Sequence, residues 1–186
     1  PQILSGLTDR YPGLDISVRE SQTARLLGEL TDGRLDAAVV ALPVSETRFA
    51  EMPLFDEEFV LVRPAQDGDK PVPNADALRR MRLLLLEEGH CFRDQALSFC
   101  NMQPAPPREW LEGSSLSTLV QMVSSGIGVT LIPEMAVPVE TGSVAVSVSH
   151  FPDPAPSRCI GMIWRKTSPL AEQLRALGDV VRAAAA

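Results

Sequence analysis

The run Glu87-Glu-Gly-His-Cys-Phe-Arg-Asp-Gln-Ala-Leu-Ser-Phe-Cys100 holds the side chains of this 186-residue chain best suited to chemistry. Gly89 permits a turn, and Phe92 to Phe99 has the composition of a helix, so Cys91 should sit at or beside a helix N-terminus. Unpaired backbone amides and the helix dipole stabilise an anion there. Arg93, two residues on, adds a cation, and both effects favour the thiolate, the form of cysteine that attacks peroxide. The competing reading of Cys91 is a buried small hydrophobe, and local features leave both open. His90 could orient or share a proton with the thiol, or serve as a surface or capping residue. Asp94 suits the first turn of a helix without any chemical role. A zinc site from His90, Cys91, Cys100 and His150 has the right residue types, but no pair shows the spacing usual in such sites, so neither metal nor cofactor is expected. Cys159 opens the apolar run Cys-Ile-Gly-Met-Ile-Trp164 and reads as core or strand-edge packing.

The elements that must position these residues follow from hydrophobic periodicity. Leu14 to Val18 alternates as a half-buried strand does. Ser21, Gln22 and Thr23 offer caps for a helix with Leu26, Leu27 and Leu30 on one face, and Gly33 can stop it. Leu35 to Leu42 is nearly continuously apolar, as in a strand covered on both faces. Glu58 to Val62 and Met81 to Leu86 read as further strands around a loop from Pro64 to Asn74. Leu116, Leu119, Val120 and Val123 have helical spacing ahead of Gly126 and Gly128, and Val129 to Ile132 make a strand closed by Pro133. Cys159 to Trp164 is a strand, and Ser168 and Pro169 open a last helix with Leu170, Leu174, Leu177 and Val181 inside. Strands alternating with helices predict an α/β fold with mainly parallel sheet, in two small subdomains.

Composition bounds the function. A 45% hydrophobic content is enough to bury one or two cores, and a formal net charge of -7 argues against this chain gripping a phosphate backbone itself. Three cysteines are an odd count and too few for a disulfide scaffold, which fits a reducing compartment. Without a membrane-length apolar stretch or a signal-peptide pattern at the start, a cytoplasmic protein with no membrane partner is expected.

The segment Gly89-His-Cys-Phe-Arg-Asp-Gln-Ala-Leu-Ser-Phe-Cys100 resembles the redox segment of the OxyR family of LysR-type transcription regulators, a G-H-C-x-R-D-Q stretch followed by a second cysteine at this distance. Other stretches are similar to the same domain in the same order. They are Glu20 to Thr23, Gly33 to Asp36, Pro53 to Asp56, Ser114 to Leu119, Gly126 to Pro133 and Ser168 to Leu170. The Gly-x-Leu-Asp and Gly-Ile-Gly elements are shared across LysR-type proteins, so the cysteine segment is the specific signal. The proline-rich stretch from Gln103 to Pro107 departs from the family pattern.

The resemblance implies a periplasmic-binding-protein-like architecture: two α/β subdomains joined by two crossover strands near Glu58 to Arg63 and Ile160 to Arg165, with the sensing site between them. Subdomain I would comprise 1–57 and 166–186, and subdomain II, carrying the redox segment, 58–165. The winged helix-turn-helix, linker helix and first strand of the family's fuller chain are expected to lie outside this sequence. By resemblance Cys91 is the peroxidatic thiol, Cys100 its resolving partner, and Thr23 a hydroxyl that helps hold peroxide or water. His90, Arg93 and Asp94 are polar neighbours of the reactive centre, and Arg158 is an arginine brought close to it. Thr23 as a plain N-cap and Arg158 as a solvated strand-end charge remain alternatives.

The implied function is a hydrogen-peroxide-sensing regulator of antioxidant genes and not a turnover enzyme. Its implied partners are peroxide, a second copy in a homodimer or tetramer, DNA through the N-terminal module, and a thiol reductant such as glutaredoxin or thioredoxin. The helix from Leu116 to Ser125 would pair with the first subdomain of the other copy. Two rivals stand beside it. A LysR-type or solute-binding domain could sense an organic ligand between the subdomains, with Ser21, Ser114 and Ser115 cradling a carboxylate. A two-cysteine peroxidase is the other, although the Pro-x-x-x-Thr-x-x-Cys pattern of peroxiredoxins is missing.

Overall fold

The computed structural model describes residues 2–100 and 111–185, so the proline-rich stretch Gln103 to Pro107 lies outside the described residues. The chain divides into two compact units, Pro1–Asp56 with Arg158–Ala186, and Glu57–Ser157. Two strands run from one into the other, β2 (Phe49–Pro64) and β7 (Ser157–Arg165).

In the first unit, β1 (Ala38–Leu42) pairs antiparallel with β7 from Ala38↔Ile163 to Leu42↔Cys159. This pairing places β7 with the first unit from Arg158 onward, rather than from Lys166 as the sequence suggested. Helix α2 (Thr23–Thr31) buries Leu26 and Leu30 against β1, and Gly33, at φ +74, takes the left-handed turn that ends it. Glu29 on the same helix is buried. Burial raises its carboxyl pKa, but hydrogen bonds and charge from Arg19 at 2.7 Å and Arg25 at 3.2 Å outweigh that and hold it below the ordinary value. Helix α1 (Gln2–Arg10) lies against α7 (Ala171–Ala185), and Leu7, Leu174 and Val181 form a core with Leu54, Met162 and Trp164.

Several expectations for this unit need correction. Leu14 to Val18 is not a strand, because β1 pairs only with β7 among the described strands and offers that segment no ladder. The strand expected from Leu35 begins at Ala38: the amides of Arg34 and Leu35 return to the carbonyl of Glu29, and Arg165 binds the carbonyls of Leu30 and Leu35. Its outer face is open, with Val39 half exposed, so it is not covered on both sides. Leu170 is also exposed, since α7 starts one residue after it.

In the second unit, β2 pairs antiparallel with β5 (Thr130–Pro133) and β6 (Val146–His150), while β3 (Leu84–Leu86) pairs in parallel with β4 (Leu111–Gly113). The sheet is therefore mainly antiparallel among the described pairs, not mainly parallel. Helices α3 (Ala75–Arg79), α4 (Cys91–Phe99) and α5 (Leu116–Ser124) contribute Leu78, Leu97, Leu119 and Val123 to one core with Val60, Leu84 and Ile132. α5 is capped by Ser115, whose Oγ accepts from the Thr118 amide at 3.2 Å, and Gly126 at φ +75 lets the chain turn off its end.

Candidate functional site

The segment from Glu87 to Cys100 follows the C-terminal end of β3. The Glu87 amide donates to Gly113 of β4 at 3.1 Å, and Gly89, at φ +96, reverses the chain where a side chain would be strained. His90 then occupies the N-cap of α4 without a side-chain cap bond, which makes Cys91 the first helical residue. Cys91 is half-buried, and Asp94 is exposed in the same turn. At the other end Cys100 is the C-cap, fully buried, and burial pushes its thiol up to about 11, with the charge of Arg79 acting in the opposite direction.

The helix between the cysteines is well anchored. Phe92 meets Phe59 of β2 edge-to-face at 4.9 Å, and Phe99 meets Phe151 at 5.2 Å. Ala96 and Leu97 are buried beneath. Arg93 is buried too, and its Nη1 donates to the Leu86 carbonyl at 2.8 Å and to Glu112 Oε1 at 2.6 Å. The cation that the sequence placed beside the thiol is thus paired with a carboxylate and ties the first turn of α4 to β3 and β4. Glu112 was not singled out from the sequence, because a lone acid next to Gly113 carries no motif.

Thr23 and Arg158 belong to the first unit, while His90, Cys91, Arg93, Asp94 and Cys100 belong to the second. Thr23 is not an N-cap: it is the first residue of α2, and Gln22 occupies the cap position with no side-chain bond. Arg158 is half-buried on β7. Of the serines considered for a carboxylate, Ser115 is engaged as the α5 cap, Ser114 is exposed and Ser21 is half-buried. His150 pairs with Glu134 at 2.9 Å, and among the described residues no three His, Cys, Asp or Glu side chains are gathered as a metal ion requires. Cys159 lies on β7. Burial raises its pKa first, and Asp56 and Glu51 raise it further.

The family model "LysR substrate binding domain" matches residues 1–186. A probable hydrogen peroxide-inducible genes activator of Mycobacterium avium is 43% identical over 187 residues, covering 97% of this chain and 59% of the relative. The chain therefore spans about three fifths of the length of the curated relatives it matches. The reduced OxyR regulatory domain of Pseudomonas aeruginosa superposes with a TM-score of 0.86 at 34% identity, covering 100% of this chain and 89% of that one. A cysteine mutant of Corynebacterium glutamicum OxyR with hydrogen peroxide bound gives a TM-score of 0.90 at 32% identity, covering 99% and 60%. The fold is the periplasmic-binding-protein-like one, two α/β units joined by two strands. On this match across its whole length, the chain belongs to the LysR substrate-binding-domain family, among the OxyR regulatory domains.

Proposed function

We propose that the chain is the peroxide-sensing part of a LysR-type gene activator, with Cys91 as the peroxidatic and Cys100 as the resolving thiol. The observation that carries the reading is the placement of Cys91 as the first residue of α4, with a second cysteine capping the same helix, in an OxyR-type regulatory domain. The Cys91 thiolate attacks one oxygen of hydrogen peroxide, the O–O bond breaks, and hydroxide leaves with a proton as water. The sulfenic acid so formed condenses with Cys100 to a disulfide and a second water. His90 and Asp94, in the same unit as Cys91, supply polar contacts for peroxide or the departing hydroxide. Arg93 contributes by fixing the helix start through Glu112. A thiol reductant such as glutaredoxin or thioredoxin restores the thiols, and DNA is bound by the N-terminal module of the full-length protein.

Titrating thiols in the cytoplasmic full-length protein before and after one equivalent of peroxide tests this. A sensor loses two thiols without sustained consumption of peroxide. Continued turnover with reductant would mean a peroxidase, and no rapid thiol loss would mean an organic-ligand receptor.

The same reading includes a two-fold dimer in which α5 meets the first unit of a partner. Val139, 80% exposed on the short helix α6 (Val137–Glu140) that contacts α5, gives apolar surface for such a contact. Light scattering of the regulatory domain should give a dimer at micromolar concentration. A monomer in both redox states would remove this part of the reading.

A further inference from the structure

We propose that Arg79 is the positioning residue for the resolving step, holding Cys100 in place while the rest of α4 opens and supporting the thiolate that attacks the oxidised Cys91. The proposal rests on the assignment of Cys91 and Cys100 as the redox pair. Arg79 ends α3, and its Nε donates to the main-chain carbonyl of Cys100 at 2.7 Å. That carbonyl is one of those a helix leaves without a partner at its C-terminus. The bond is made to the backbone from a different helix, so it does not depend on the hydrogen bonds inside α4. α3 has its own anchors: Leu78 is fully buried, and Asn74 Oδ1 accepts from the Ala77 amide at 2.9 Å. Cys100 can therefore stay seated while Cys91 travels.

The chemistry gives Arg79 a second task. A buried thiol with a pKa of about 11 is ionised in about one molecule in ten thousand at pH 7, and only the thiolate attacks. The Arg79 guanidinium is the charge that opposes this burial, with Asp76 of the same helix 3.4 Å from its Nη1. In the step itself the Cys100 thiolate attacks the sulfur of the Cys91 sulfenic acid. The S–S bond forms, the S–O bond breaks, and the hydroxide leaves as water with the proton that Cys100 gave up. Peroxide is the two-electron oxidant, consumed in the preceding step. Arg79 transfers no proton and acts through Cys100.

The test compares wild type, Arg79→Gln and Arg79→Lys in the full-length protein after one equivalent of hydrogen peroxide, with dimedone to trap sulfenic acid. Iodoacetamide labelling of Cys100 against pH is followed in a Cys91→Ser background. Arg79→Gln should form sulfenic acid at the wild-type rate, close the disulfide about tenfold more slowly, and shift Cys100 labelling to higher pH. Arg79→Lys, which keeps the charge, should restore the labelling profile. Disulfide closure in Arg79→Gln at or above the wild-type rate would overturn the proposal. So would slower closure with an unchanged labelling profile, which marks a merely structural residue, or failure of Arg79→Lys to restore it. If wild type itself forms no disulfide between Cys91 and Cys100, the redox-pair assignment fails and this proposal falls with it.

Discussion

Cys91→Ser is expected to abolish the response to peroxide, whereas Cys159→Ser leaves it intact. The three thiols differ in where the fold puts them. Cys91 is half-buried at the amino end of α4, where the helix dipole favours negative charge. Cys159 is also half-buried, but it is on β7, where burial and the carboxylates of Asp56 and Glu51 all keep its proton on. Cys100 is fully buried, which denies peroxide access and leaves it as a partner for an intermediate formed elsewhere. Cys100→Ser should accordingly stop at a sulfenic acid on Cys91. Mass spectrometry of dimedone adducts and of thiol loss in the three single variants reads all of this. A peroxide-driven intramolecular disulfide in Cys91→Ser, or its loss in Cys159→Ser, would show that the roles are misassigned.

Much of this site was legible because its residues are local in sequence. Gly89, the helix start at Cys91 and the second cysteine at the helix end lie within one short segment, and a glycine turn followed by helix-like composition places them. The long-range partners were not legible. Glu112 meets Arg93 from β4, and Arg79 reaches Cys100 from α3, contacts that no spacing rule announces. The fold shows the same division. α5 follows its Leu116, Leu119, Val120 and Val123 pattern, and β5 follows its apolar run. The short elements β4 and α3 carry too few residues to show a period, and α1 escaped notice although Leu4 and Leu7 share its face. Leu14 to Val18 shows the opposite failure, since alternation describes a surface that suits a strand, and a strand also needs a neighbour. Strand direction was missed because β2 and β7 each run through both units, so alternation of strands and helices does not imply parallel pairing here.

Oxidation is expected to open α4. Nine residue steps at about 1.5 Å each separate the Cα atoms of Cys91 and Cys100 by roughly 13 Å along the helix axis. A disulfide spans Cα atoms about 4.4 to 6.8 Å apart. The same nine steps turn the chain through about 900°, so the two side chains point to opposite sides of the helix and bending cannot join them. The helix must unwind, and its anchors go with it. Phe92 leaves or exchanges its contact with Phe59, Phe99 its contact with Phe151, and Leu97 its place in the core. Each large apolar side chain so exposed costs about 1.5 to 3 kcal/mol, and the Arg93–Glu112 pair is strained or broken as well. Under the proposed Cys91–Cys100 pairing, this rearrangement would carry a chemical event at one sulfur to the surface of the domain. The same cost would keep the proposed disulfide reducible, so that the switch could reset. Hydrogen exchange at amides 92 to 100 measures it directly in the reduced and peroxide-treated protein. The account predicts that protection present in the reduced helix is lost or relocated on oxidation. Equal protection of these amides in both states would contradict it.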